Sequence, residues 1–221
     1  MTVTHEAADS ARQASNDASA NPSDPRVVVE RNAPPFVRAV ATRARLALRT
    51  DHGCRAFEAL AGTITLRSAI DVQGAQVRRT PEGLEIGSPA EPACGTITVN
   101  PVSFDVVDSD LEPDARAIAV TLIDPEPLSF ALAAQQFQEL SADLPGMPGV
   151  RMSAVDTGAV ATLGLAADPY EIFGLEQDLR RVLSGMDWFP HSLQAGRFAI
   201  RGSLRQLSVL IGASMKAVYG V

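Results

Sequence analysis

The apolar and polar positions of the last third of the chain change period several times. Ala159 to Leu165 is small, apolar and partly β-branched, a length and composition that predict a buried strand. Asp168-Pro169 then predicts a helix start, because Asp is a good N-cap and proline needs no amide partner in the first turn. Ile172, Leu175, Leu179 and Leu183 follow at spacings of three and four, one face of that helix, and Gly185 stops it. Met186-Asp187-Trp188-Phe189-Pro190 reads as an aromatic corner. Between Gly196 and Gly202, Phe198 and Ile200 alternate with Arg197, Ala199 and Arg201, which predicts a strand. Ser203 opens a closing helix through Leu204, Leu207, Leu210 and Ile211.

The earlier chain divides as clearly. Residues 1–26 carry almost no large apolar side chain and cannot offset their ordering entropy by burial, so they read as a disordered tail. Val27-Val28-Val29 is a short, isolated β-prone run. Pro34-Pro35 starts a helix whose stripe is Phe36, Val40, Ala44 and Leu48, with Val37 and Ala41 beside it. Arg38, Arg43, Arg45 and Arg49 fall largely off that stripe. The helix is either a basic amphipathic segment that visits an anionic membrane or a packing helix whose arginines lie over the acidic remainder. Its few aromatic and leucine anchors favour packing. His52-Gly53 breaks it, and Arg55 to Leu60 adds a short helical turn. Strands are predicted at 63–66, 69–78 (with a bulge or turn at Gly74), 84–86, 93–100 and 117–123, and a helix at 127–140.

Gly83 to Phe104 and Gly149 to Phe173 share a pattern of glycine, short strand, small-residue turn, second strand and proline. The echo reads either as a pseudo-repeat, with units at 50–111 and 112–221, or as two similar hairpins in one sheet. The fold class expected for 27–221 is α+β: a twisted, mainly antiparallel sheet of six or more strands covered by helices.

One resemblance gives this layout a family. Ala161-Thr162-Leu163-Gly164-Leu165, then Val182-Leu183-Ser184-Gly185, then Gly196, Phe198, Ile200, Gly202 and Leu204 resemble the C-terminal half of the sterol carrier protein 2 (SCP2) family. That family pairs a strand with a helix ending in LL-x-G, followed by a glycine-bracketed strand and a closing helix. An N-terminal helix followed by an antiparallel meander is also similar. The chain departs from the pattern at Ala159-Val160, where an acidic residue is usual, and at Ser203, where Asp is common. The resemblance implies a hydrophobic tunnel between sheet and helices that holds a lipid or acyl chain.

Charge and composition narrow the classes. A net charge of −7 argues against nucleic acid as a partner, since phosphate contacts need clustered Lys and Arg. Lys216 is the only lysine among 19 basic residues, which with the abundant alanine suggests a GC-rich bacterial genome. Cys54 and Cys94 have no metal-ligand spacing and read as free thiols. No apolar run is long enough for a membrane span, and no signal-peptide layout precedes the domain, so a cytoplasmic setting is expected.

Candidate chemistry is sparse. GxSxG, HExxH, GxxxxGK[ST] and GxGxxG are all missing. The acidic run Asp105, Asp108, Asp110, Glu112 and Asp114 lacks the glycine and terminal glutamate of a Ca²⁺ loop and reads as solvated. Glu171, Glu176 and Asp178 complement a helix dipole. His191 is either a polar handle for a ligand headgroup or a surface residue capping the corner. The function that the SCP2 resemblance implies is non-catalytic binding of a fatty acyl chain or sterol-like lipid, and no cofactor or metal is expected. The expected lining is Ile172, Leu175, Leu179, Leu183, Trp188, Phe189, Phe198, Ile200, Leu204 and Leu207. The alternative is a module that associates with a protein partner, docking through the helix at 36–49. Transient membrane contact accompanies either reading.

Overall fold

The computed structural model describes residues 26–90, 92–164 and 169–220. The expected tail lies outside the described residues as far as residue 25; Arg26 already belongs to a strand. Elements follow in the order β1 (Arg26–Val29), α1 (Pro35–Ala47), α2 (Asp51–Ala59), β2 (Thr63–Ser68), β3 (Gly74–Thr80), β4 (Gly83–Gly87), β5 (Gly95–Val99) and β6 (Val106–Ser109). The chain continues with α3 (Pro113–Ile123), α4 (Phe130–Ser141), β7 (Val150–Ala154), β8 (Val160–Leu163), β9 (Tyr170–Gly174), α5 (Glu176–Leu183), α6 (Phe189–Gln194), β10 (Phe198–Arg201) and α7 (Leu204–Tyr219). The protein is mixed α+β.

The strands form two sheets, not one: six strands in the order β1-β4-β3-β2-β5-β6, and four in the order β10-β9-β7-β8. Both are mixed. Parallel pairings join β1 to β4, β2 to β5 and β7 to β9, and the remaining neighbours are antiparallel. The isolated valine run is thus accounted for as β1, which docks on the outer edge of β4.

The two sheets share an arrangement. In each, the first strand of a hairpin (β2 or β7) takes a later strand in parallel on its other side (β5 or β9). That strand then carries an antiparallel edge strand, β6 or β10. The segments that echo each other in sequence are not equivalent here. β4 and β5 are separated by β3 and β2, whereas β7 and β8 adjoin.

Each sheet has its own core. In the first, Phe36, Val37, Val40, Ala41 and Ala44 of α1 pack on Ile64, Leu66, Val77, Leu84, Ile86, Ile97 and Val99, and α3 adds Ala119, Leu122 and Ile123. In the second, Phe130 and Phe137 of α4 meet Val150, Met152, Tyr170 and Ile172 of the sheet, with Leu179, Leu183, Phe189, Phe198 and Leu210. Helix α7 serves both, giving Leu210, Ala213 and Ala217 to the second core and Val218 to the first.

Three expectations about local structure are corrected. Residues 170–174 form strand β9 in place of the first turns of a helix. Tyr170, Ile172 and Gly174 are buried and the residues between them are not, a period of two that the coincidental leucine spacing hid. Residues 117–123 are helix α3, not a strand. Pro113 starts it, and the buried Ala119, Leu122 and Ile123 sit at helical spacing, which overrides the β-branched composition. His52-Gly53 lies inside α2, capped by Thr50 Oγ1, which accepts from Gly53 N at 3.0 Å. A Cβ at Gly53 would stand 1.9 Å from the Ala47 carbonyl oxygen, so glycine there permits the close turn between the helices. β8 is shorter than expected and mostly exposed at the sheet edge, with Leu163 its one buried residue. Leu165 and Asp168 lie outside the described residues.

Candidate functional site

Five of the ten expected lining residues converge in the second core. Ile172 comes from β9, Leu179 and Leu183 from α5, Phe189 from α6 and Phe198 from β10, and they meet Phe137, Val150, Met152, Val182 and Leu210 around a wholly apolar void. The rings of Phe189 and Phe198 are 4.9 Å apart and tilted by 51°. That void measures about 10 Å³. One water needs roughly 10–15 Å³ by the same measure, and small-molecule pockets run to roughly 300–1,000 Å³. The side chains fill the space.

The other five stand elsewhere. Ile200 and Leu207 are half-buried against the rim of the core. Leu175, Trp188 and Leu204 are exposed, by 49%, 37% and 83% of their surfaces. Once 170–174 is a strand, Leu175 becomes the N-cap of α5 and leaves the helical stripe. Leu204 is the first residue of α7 and turns away from the core. The aromatic corner splits, since Trp188 caps α6 from outside while Phe189, its first residue, is buried.

Beside this apolar core lies a polar cluster that the sequence reading missed. Asp187 is buried and accepts from Arg181 at 2.9 and 3.0 Å and from Arg197 at 2.6 Å. Arg43 of α1 is 1% exposed; it donates to the carbonyls of Ile123 (3.0 Å), Ser103 (3.4 Å) and Met186, and pairs with Asp124 at 3.4 Å. Desolvation pushes its pKa down to about 10, with Asp124 opposing, so it keeps its charge at neutral pH. Burial also works against the charge of Arg181, but the hydrogen bonds and charge of Asp187, and then Asp124, outweigh it and raise that pKa. A signal for Arg43 was present. Phe36, Val40, Arg43 and Ala47 are spaced four, three and four, a stripe that the reading through Ala44 passed over.

The remaining candidates are quickly placed. His191 is half-buried in α6, and His52 Nε2 lies 3.2 Å from Thr121 Oγ1, joining α2 to α3. Burial raises the pKa of Tyr170, whose ring packs in the second core. Of the acidic run, Asp108 lies within β6 and Asp114 in the first turn of α3; among the described residues no three His, Cys, Asp or Glu side chains are grouped to hold a metal ion. Neither Cys54 nor Cys94 is in a disulfide. No helix of the described residues is long and apolar enough to cross a membrane. A comparison with family models and one with curated proteins find no match for this chain.

Proposed function

We propose that this chain works by association and not by turnover, as an interaction module that engages a protein partner. The filled second core carries this reading. Its apolar side chains are spent on each other, and apolar surface is left at one end of the second sheet. Val155, Val160 and Leu175 are exposed there, and Val155 N bonds the carbonyl of Gly174, which holds the first and last of them close. Val160 lies on β8, which pairs only with β7 among the described strands. Such an edge is a template for an added strand. Docking through the helix at 36–49 is not part of the proposal, because α1 is buried along most of its length.

The test is affinity capture with the full chain in parallel with a Val155→Glu/Leu175→Glu variant of unchanged circular dichroism. A stoichiometric protein held by the first and lost by the second supports the module. Identical captures from both would sink it.

A second reading, non-catalytic binding of a fatty acyl chain or sterol-like lipid, rests on the void. It is lined only by apolar side chains and lies where the SCP2-like layout expects a tunnel. Entry requires the ring pair Phe189 and Phe198 to part, and each buried CH₂ would return about 0.8 kcal/mol. Native mass spectrometry with solvent extraction decides between the readings: the module gives a clean apo mass, and a stoichiometric lipid reverses the order. A cytoplasmic bacterial setting and transient membrane contact stay with this second reading.

A further inference from the structure

We propose that the cleft between β1, the middle of α1 and the C-terminal end of α7 binds an oxyanion of phosphate size. This cleft has a volume of about 160 Å³, and Arg31, Arg38, Arg45, Glu30, Tyr219 and Gly220 are among its walls. It lies apart from the second core and does not depend on either reading of it.

The case rests first on unspent cationic donors. Arg38 and Arg45 are seven residues apart on α1, two turns along one stripe, and Arg31 arrives from the segment after β1. Elsewhere in the fold arginines meet carboxylates, as in Arg78–Glu85, Arg181–Asp187 and Arg201–Glu171. Here none of the three does so among the described residues; the one recorded bond is Arg38 Nε to the Ala33 carbonyl at 2.9 Å. Glu30, the acid in the wall, is already engaged, accepting from Ser88 N at 2.9 Å and Ser88 Oγ at 2.6 Å. Desolvation pushes the Arg45 pKa down, and no neighbouring carboxylate restores it.

The wall beside the arginines is close-packed: a Cβ built on Gly220 would lie 3.4 Å from Arg45 Nη1 and 3.6 Å from Thr42 Oγ1, a buried hydroxyl that stands behind the wall. Three guanidiniums without a carboxylate are a set that an oxyanion neutralises and water alone does not. The C-terminal end of α7 carries partial negative charge and works against an anion, so the three guanidiniums have to outweigh it. Each guanidinium carries five N–H donors, which leaves several for a ligand. Because the whole chain is at −7, general attraction of anions is weak and binding reports the local site.

Calorimetric titration of the full chain with inorganic phosphate at low ionic strength tests this. A parallel sedimentation assay uses phosphatidylcholine vesicles with and without phosphatidic acid. Saturable phosphate binding assigns a free anion, and binding of acidic vesicles alone assigns a lipid headgroup; both support the site. Arg38→Ala/Arg45→Ala should lose about tenfold or more in affinity, while Arg201→Ala should bind as the parent does. If the double variant fails to fold, the single changes Arg38→Gln and Arg45→Gln carry the same comparison. Absence of binding by the full chain, binding indifferent to Arg38 and Arg45, or an equal loss in Arg201→Ala each overturns the proposal.

Discussion

The guanidinium of Arg43 lies 4.0 Å above the ring of Phe104. Phe104 is the one non-glycine residue with positive φ among those described (φ 65°), and its other ring contact is Phe36, stacked at 5.7 Å. A buried cation is thus held on an aromatic face while its hydrogen-bond donors serve Ile123, Ser103 and Met186, residues that belong to three different segments. Arg43 is where the first core meets the corner that precedes α6.

Arg43→Ala is expected to lower stability by about 3–5 kcal/mol, because it strands three carbonyls and leaves part of Asp124 and Asp187 uncompensated. Arg43→Lys should recover only part of this, since an ammonium has neither the planar fork nor the stacking face. Urea unfolding checks both. Parent-like stability for the lysine variant would show that charge alone matters there.

The contact between Gly202 and Tyr170 gives a second expectation. A Cβ at Gly202 would stand 2.1 Å from the Tyr170 ring, so Gly202→Ala is expected to cost about 1–3 kcal/mol through overpacking. In the Tyr170→Leu background the same change should cost much less. The coupling is read from a double-mutant cycle, and strict additivity would refute the contact.

Truncating Phe189 should create what the parent lacks. Phe189→Ala is expected to destabilise by about 3–5 kcal/mol and to enlarge the void enough for a small apolar probe such as benzene. Trp188, the single tryptophan, is next in sequence, so its emission reports the change. A variant that shows no benzene-dependent gain in melting temperature has collapsed around the gap.

Glu30 titrates below its ordinary 4.5, first because Ser88 Oγ and then because Ser88 N donate to it. A lowered carboxylate pKa means the unfolded chain binds the proton more readily. The stabilisation is therefore present above 4.5 and is lost as pH falls through the folded-state value. The group is only half-buried, so the effect is small. In Ser88→Ala the NMR-observed pKa should rise toward 4.5, and an unmoved value would reject the hydrogen bonds as its cause.

What the sequence disclosed follows from how local each signal is. Helix α1 and the strands β2, β4 and β5 were legible because their periods run uninterrupted between proline and glycine stops; the strand expected over 69–78 begins only at Gly74, since 69–73, with Ile70 and Val72 exposed, form the loop between β2 and β3. The closing strand and helix were legible too: β10 is bracketed by Gly196 and Gly202, and α7 opens on a capping box of Ser203 and Gln206. Residues 170–174 misread because Ile172, Leu175, Leu179 and Leu183 keep helical spacing across a strand–helix junction. Only the pairing of β9 with β7 and β10, contacts distant in sequence, makes that segment a strand. The candidate lining was half legible for the same reason. Residues inside a true element, such as Leu179, Leu183 and Phe198, point inward, and those at a junction, such as Leu175, Trp188 and Leu204, do not. Whether the core is hollow depends on how large side chains interdigitate, which no spacing rule encodes.

Helix α7 closes both cores, with Ala213 and Ala217 on one side and Val218 on the other. During synthesis the six-stranded sheet is complete in sequence by residue 109, and its buried core, Val218 apart, by Ile123. Domains whose parts are contiguous fold as they emerge. Here the first core is contiguous but for Val218, so that half can form ahead of the second, and α7, emerging last, joins the two.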